Sequence, residues 1–221
     1  LDLLFQGYAS HIHINDADPA VFAFWASVTQ HSKELLELLA STPITIEEWF
    51  KWRSVLREDC QASLVEKGFA TLFMNRTNRS GILKAGVIGG KSQDGAYKLD
   101  ARFKKNVIAA RIVEIAKRSK DITVYSEDSL ALLKRCKEFL PKESLIYLDP
   151  PYYVKGKGLY RNYYEHDDHV AIAKTIKAKS FKRHWIVSYD NADEIRAMYQ
   201  LVSTKTYGLN YTAQRRYVGN E

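Results

Sequence analysis

The chain reads as an α/β fold built on a mainly parallel sheet, and three features of the sequence lead to that reading. Short apolar runs alternate with stretches of helical periodicity over much of its length, the pattern of strands joined by crossover helices. Three of those runs stop at or beside a carboxylate, at Asp16, at Glu127 and Asp128, and at Asp149. In a parallel sheet such tips share one C-terminal edge, where open α/β folds bind ligands. Finally, 221 residues with 46% hydrophobic content suffice for one large domain, or one domain carrying an insertion.

Taken in order, residues 1–7 resemble the end of an amphipathic helix closed by Gly7, and residues 11–16 alternate as a short strand. Apolar positions from Val21 to Leu39 recur with helical spacing and predict a helix over about 19–40. Thr45 followed by Glu47 and Glu48 marks a helix start that runs to about 57, and a further helix covers 63–74. Beyond a glycine-rich stretch, 100–118 is helical, 122–125 is a strand, and a helix extends to about 139. Residues 144–148 form a buried strand, 154–164 an irregular loop, and 167–178 a helix. A strand at 184–189, a helix at 192–199, and strands near 201–206 and 211–218 complete the series.

The net charge of +7 is concentrated in one place. Residues 76–105 hold eight basic and two acidic side chains, a local excess of +6, together with five of the eleven glycines. Clustered cations on loop-rich backbone suit contact with a phosphate polymer. The two cysteines, Cys60 and Cys136, fit no metal or disulfide spacing and read as reduced thiols of a cytoplasmic protein. No apolar run is long enough to span a bilayer, and the first ten residues lack the features of a signal peptide. His166, Asp167, Asp168 and His169 have ligand-like types, but the two acids fit a first helical turn better than a metal site, so no metal is expected. Gly89-Gly90-Lys91 lacks the preceding strand of a phosphate loop. His11 and His13 read as packed or solvated, and Trp25, Trp49 and Trp52 as helix-packing residues.

The most informative stretch is Asp149-Pro150-Pro151-Tyr152. It follows the apolar run Leu145-Ile146-Tyr147-Leu148, so its carboxylate belongs at a strand tip. Two prolines fix the backbone and remove two N–H donors, which leaves carbonyls free to accept. Acceptors beside an aromatic ring suit a flat molecule bearing an amino group. A plain strand-ending turn would use the same residue types.

Four ordered segments resemble the Dam-like DNA adenine-N6 methyltransferases, the α-group with an Asp-Pro-Pro-Tyr motif. They are His13-Ile14-Asn15-Asp16-Ala17-Asp18, then Leu72 to Asn78 with Gly81, then Leu148 to Tyr153, and Val187-Ser188-Tyr189-Asp190. The resemblance implies a Rossmann-like class I methyltransferase sheet with an inserted, mostly helical and looped DNA-recognition part. The catalytic part would comprise 1–30 and 106–221, and the insertion 31–105. It further implies S-adenosylmethionine as cofactor and duplex DNA as partner, with the protein a monomer or weak dimer.

By the same resemblance Asp16 would hold the cofactor ribose, and Asp128 or Glu127 the cofactor adenine. Asp149 and the Pro150 carbonyl would accept the target amine, with Pro151 shaping the turn and Tyr152 stacking on an everted base. Asp149 would also border the cofactor. Asn75, Arg76, Asn78, Arg79, Lys84, Lys91, Lys98 and Arg102 would contact DNA, while Tyr153, Tyr160 and Tyr163 are candidate pocket walls.

Relatives begin with a lysine-containing segment and a first strand leading into a glycine-rich turn, and the sequence shows neither. The expectations are that the chain starts inside the following helix, that without the central strand the sheet divides into halves, and that the chain by itself binds cofactor weakly or not at all and is inactive. A non-catalytic DNA-binding remnant is the alternative. A methyltransferase acting on RNA adenine or protein glutamine is a third reading, disfavoured for glutamine by aspartate at 149.

Overall fold

The structure is a computed structural model that describes residues 1–57, 59–154, 164–210 and 218–220. It comprises two compact units, Leu1–Ser126 and Glu127–Glu221.

In the first unit, α1 (Asp2–Phe5), β1 (Ile12–Asn15), α2 (Pro19–Gln30), α3 (Ser32–Ser41), α4 (Ile46–Val55), α5 (Leu64–Thr77), α6 (Lys105–Lys117) and β2 (Ile122–Tyr125) follow one another. The single helix expected over 19–40 is two, because His31 leaves helical geometry at φ −134°. No Gly or Pro marks that break, which is why periodicity alone ran through it. Other starts follow their caps. Asp18 accepts from the Ala20 N–H ahead of Pro19, Thr45 accepts from Glu48, and Ser63 forms a reciprocal box with Glu66. Helix α6 starts at Lys105, later than the apolar pattern suggested, since residues before it form turns.

Helices α2 and α5 cross at close range because their facing residues are small. A Cβ on Gly68 would stand 2.3 Å from Ser27 Oγ and 2.6 Å from the Ala23 carbonyl. Thr71 Oγ bridges the two helices by donating to the Ala20 carbonyl at 2.9 Å. Around this crossing Leu35, Leu39, Trp49, Trp52, Phe69, Phe73 and Met74 build the core, joined by Phe103, Ile108 and Ile112. The core extends under the glycine-rich segment through Val87 and Leu99, so that segment is anchored rather than loose.

In the second unit, α7 (Ser129–Arg135), β3 (Leu145–Leu148), α8 (His166–Lys177), β4 (His184–Val187), α9 (Asp193–Met198), β5 (Gly208–Asn210) and β6 (Val218–Asn220) follow. Ile146, Leu148, Trp185 and Val187 point from the strands onto Ile172, Ile176 and Ile195. Leu145, Tyr147 and Ile186 line the opposite, exposed face. Strand periodicity of two explains the division.

The strands pair as β1 with β2 and β3 with β4, both parallel, and as β5 with β6, antiparallel. Among the described residues these are three separate two-stranded sheets. The strand expected at 201–206 is absent. Leu201 takes a left-handed conformation, φ 65°, and is fully exposed, so the chain turns there and the extended segment starts at Gly208. Much of the 211–218 expectation lies outside the described residues, and so do Tyr160 and Tyr163.

Candidate active site and nucleic-acid interface

The parallel pairing of β1 and β2 sets their C-terminal ends together. Asn15 is opposite Tyr125, and the Asp16 N–H donates to the Tyr125 carbonyl at 3.3 Å. Asp16 is therefore at a strand tip, half-buried, with Oδ1 accepting from the Asp18 N–H at 2.8 Å. Its other oxygen accepts from none of the described residues. Burial raises its carboxyl above the ordinary range against the opposing pull of that hydrogen bond. A half-desolvated carboxylate with an open oxygen fits a vicinal diol that can donate two hydrogen bonds.

In the second unit, Glu127 is held by Arg135 through both carboxylate oxygens, and this hydrogen-bonded pair lowers its basicity. Asp128 caps α7, its Oδ1 accepting from the Ala131 N–H at 2.9 Å. The second oxygen of Asp128 accepts from no described residue. Of the two acids, Asp128 thus has acceptor capacity that the fold does not use.

The Asp-Pro-Pro-Tyr segment leaves the tip of β3 beside β4. Leu148 is opposite Val187, and the Ser188 N–H continues the ladder to the Leu148 carbonyl at 3.0 Å. Ser188 Oγ then donates to Asp149 Oδ1 at 2.8 Å and lies 3.0 Å from the Tyr147 hydroxyl. This fixes one oxygen of an exposed carboxylate, and the other is unengaged among the described residues. Pro150 is buried, while Pro151, Tyr152 and Tyr153 are half-buried.

What holds this loop is Asp190, a residue whose role the sequence did not disclose. It is 7% exposed, and its two oxygens accept from the Tyr153 and Val154 N–H groups at 2.7 and 2.9 Å. Charge-assisted bonds to a buried carboxylate are among the stronger ones available to a loop. Beneath them His169 is enclosed at 1% exposure, with Nδ1 3.0 Å from the Tyr189 hydroxyl and its ring against Tyr153, Tyr164 and Tyr189. Burial lowers the basicity of His169, with Asp168 and Asp190 opposing and His166 adding to the shift. Burial also pushes the Tyr199 phenol up to about 12 and the Tyr189 phenol higher still. Burial thus favours the neutral forms of His169, Tyr189 and Tyr199.

His166 engages the Tyr153 hydroxyl at 2.9 Å, and Asp168 accepts from the Glu165 N–H as the partner half of a capping box. These side chains have structural employment on α8. Among the described residues no group of three or more potential metal ligands occurs.

In the first unit the basic segment is a set of turns pinned from inside. Asn78, fully buried, accepts from Trp49 Nε1 at 2.7 Å and donates to the Ile82 and Leu83 carbonyls. Asn75 donates to the Gly81 carbonyl at 3.1 Å. Gln93, at φ 55°, donates to the Ile88 and Gly90 carbonyls and accepts from the Leu99 N–H. Asn78 thus shapes the segment from within. Arg79, Lys84, Lys91, Lys98 and Arg102 are exposed around it. Lys98 also donates to the Gln93 carbonyl, and Lys91 lies over the Phe50 ring at 5.7 Å. Lys105 is otherwise engaged, closing the C-terminus of α3 through the Ala40 and Thr42 carbonyls.

The glutamine and asparagine anchors had a faint signal, since single amides within a glycine-rich run favour turns. Asp190 had none, because its partners are backbone groups 36 and 37 residues away. Comparison with protein families matches residues 5–213 to the D12 class N6 adenine-specific DNA methyltransferase family. Comparison with curated proteins finds no match. No described helix is long and apolar enough to cross a membrane.

Proposed function

The chain belongs to the D12 class N6 adenine-specific DNA methyltransferases, and from that premise we propose how its residues divide the work of transferring a methyl group to the exocyclic amine of adenine. S-adenosylmethionine, the donor usual for such enzymes, supplies the methyl group on a sulfonium. Asp16 accepts from its ribose hydroxyls, and Asp128, with its unused oxygen, from its adenine amine; Glu127 steadies α7 through Arg135.

The observation that carries the reading is the state of Asp149. Ser188 holds one of its oxygens, and the other is available at a strand tip where the following loop is clamped by Asp190. An adenine amine is conjugated with its ring and is a poor nucleophile. The open oxygen of Asp149 and the Pro150 carbonyl accept its two hydrogens and favour a pyramidal nitrogen whose lone pair faces the methyl group. A bound S-adenosylmethionine would supply an electrophilic methyl and leave as a neutral thioether, and the methylated amine would give its surplus proton to water. This is positioning and electrostatics. The base must leave the duplex to reach such a site, and Tyr152 stacks on it there.

The 76–105 segment grips the duplex, through Arg76, Arg79, Lys84, Lys91, Lys98 and Arg102, while Asn75 and Asn78 act mainly as its scaffold. The finer fold assignment, a Rossmann-like catalytic part with an inserted recognition part over 31–105, belongs to this proposal. The test is to offer tritiated methyl donor with duplex DNA, RNA and protein as acceptors, for wild type and Asp16→Ala. The reading expects N6-methyladenine in DNA alone and at least a tenfold higher KM for the donor in the variant. Label in RNA or glutamine, or an unchanged KM, contradicts it.

A further inference from the structure

Tyr153 is fastened at its backbone, its face and its tip. Its N–H donates to the buried Asp190 at 2.7 Å, its ring lies against the enclosed His169 at 5.2 Å between centroids, and its hydroxyl stands 2.9 Å from His166 Nδ1. The His166 ring also meets it edge-on at 6.0 Å. The contacts with Asp190 and His169 are made in the interior. That with His166 lies at the surface, since His166 is exposed.

A surface bond of this kind adds little to stability, because water replaces it at small cost. Nor does α8 depend on it. His166 is the first residue of that helix, but the helix start is closed by the reciprocal box of Glu165 and Asp168. What the bond does fix is the tip of a ring whose backbone and face are already held, and with it the orientation of the residue as a whole.

That orientation matters because Tyr153 ends a short bridge. Asp149, Pro150, Pro151 and Tyr152 span the gap between Leu148, held in the ladder by the Ser188 N–H, and Tyr153. Two of these four are prolines, whose rings lock φ at about −65°. A bridge so short and stiff carries orientation from one end to the other. The Pro150 carbonyl, an acceptor for the target amine, lies within it. Misplacing a reacting group by about 1 Å can slow a reaction about a hundredfold.

We propose that His166 is a positioning residue for methyl transfer, acting through the Tyr153 hydroxyl on the turn that carries Asp149 and the Pro150 carbonyl. The proposal rests on the reading of that turn as the seat of the target amine, and it gives α8 a part in the seat. The role is one of orientation, and no proton passes through the pair.

Steady-state methyl transfer to duplex DNA by the full chain, read beside thermal melts, tests this. His166→Ala should lower kcat about fivefold, as expected for the loss of one hydrogen bond, with donor KM, duplex affinity and melting temperature unchanged. Tyr153→Phe should lower kcat as much, and the double variant no further, since either change removes the same bond. Two conservative variants separate orientation from side-chain bulk. The amide of His166→Asn stands where Nδ1 stands and should restore most of the rate. That of His166→Gln reaches the position of Nε2 instead and should not. Equal kcat in wild type and His166→Ala, additive losses in the double variant, or equal rescue by Asn and Gln would overturn the proposal and leave the role of Asp149 standing. If the wild-type chain transfers no methyl group to DNA, both fall together.

Discussion

Replacing Asp190 with alanine should release the loop that follows the two prolines. Asp190 is 7% exposed and accepts from two consecutive backbone N–H groups, at 2.7 and 2.9 Å. Hydrogen bonds to a charged group contribute about 1.5–3 kcal/mol each. Tyr153 is half-buried and Val154 exposed, so water recovers part of the loss and the lower end applies. Two bonds then amount to about 3 kcal/mol, or roughly a 150-fold change in local opening, at about 1.4 kcal/mol per decade. Native-state hydrogen exchange at the Tyr153 and Val154 amides reads this directly. Their protection should fall by about two orders of magnitude in Asp190→Ala and by about one in Asp190→Asn, which keeps one acceptor oxygen. Methyl transfer should slow in parallel, through kcat more than through donor KM. Unchanged protection of both amides in the alanine variant would refute the clamp.

Other outcomes follow from the same packing. His169 has its basicity lowered by burial, so the unfolded chain binds more protons at and below its ordinary pKa of 6.5. Its contribution is complete above pH 6.5 and is lost as pH falls through the lowered value; thermal melts from pH 7.5 to 5 should show this decline, flattened in His169→Phe. Gly68→Ala should destabilise by about 1–3 kcal/mol, since the new methyl meets Ser27 Oγ and the Ala23 carbonyl. Adding Ser27→Ala should return part of that in urea titrations, and strict additivity would argue against the contact. Trp49→Phe strands the buried Asn78 carbonyl oxygen and should cost about 1–3 kcal/mol, with faster exchange at the Ile88 amide that closes the turn on Thr77.

The parts of the fold visible in the sequence are those governed by local rules. The caps at Thr45 and Ser63 and the apolar runs of β2 and β3 all mark real boundaries. The break at His31 was hidden because it is set by how α2 and α3 pack, not by a breaker residue. The false strand at 201–206 shows the converse, as β-favouring residues such as Val202 and Thr204 make no strand where Leu201 turns the chain. The strand-tip acids could be read because β periodicity and turn chemistry place them. Their differing states could not. That Glu127 is tied to Arg135 and Asp149 keeps one oxygen open depends on side chains met only in three dimensions, whereas the Asp128 cap is a local bond from the Ala131 N–H. Asn78 illustrates the same limit, since its type and neighbourhood suggested the surface and the fold encloses it.

The most direct measurement is methyl transfer by Asp149→Ala beside wild type, with duplex affinity measured on the same preparations. If the open oxygen of Asp149 holds the target amine, transfer to adenine should drop at least a thousandfold, about 4 kcal/mol of transition-state stabilisation, while duplex affinity stays within about threefold, less than 1 kcal/mol. A variant that retains a tenth of wild-type transfer, or that loses transfer only in proportion to lost duplex affinity, would contradict it.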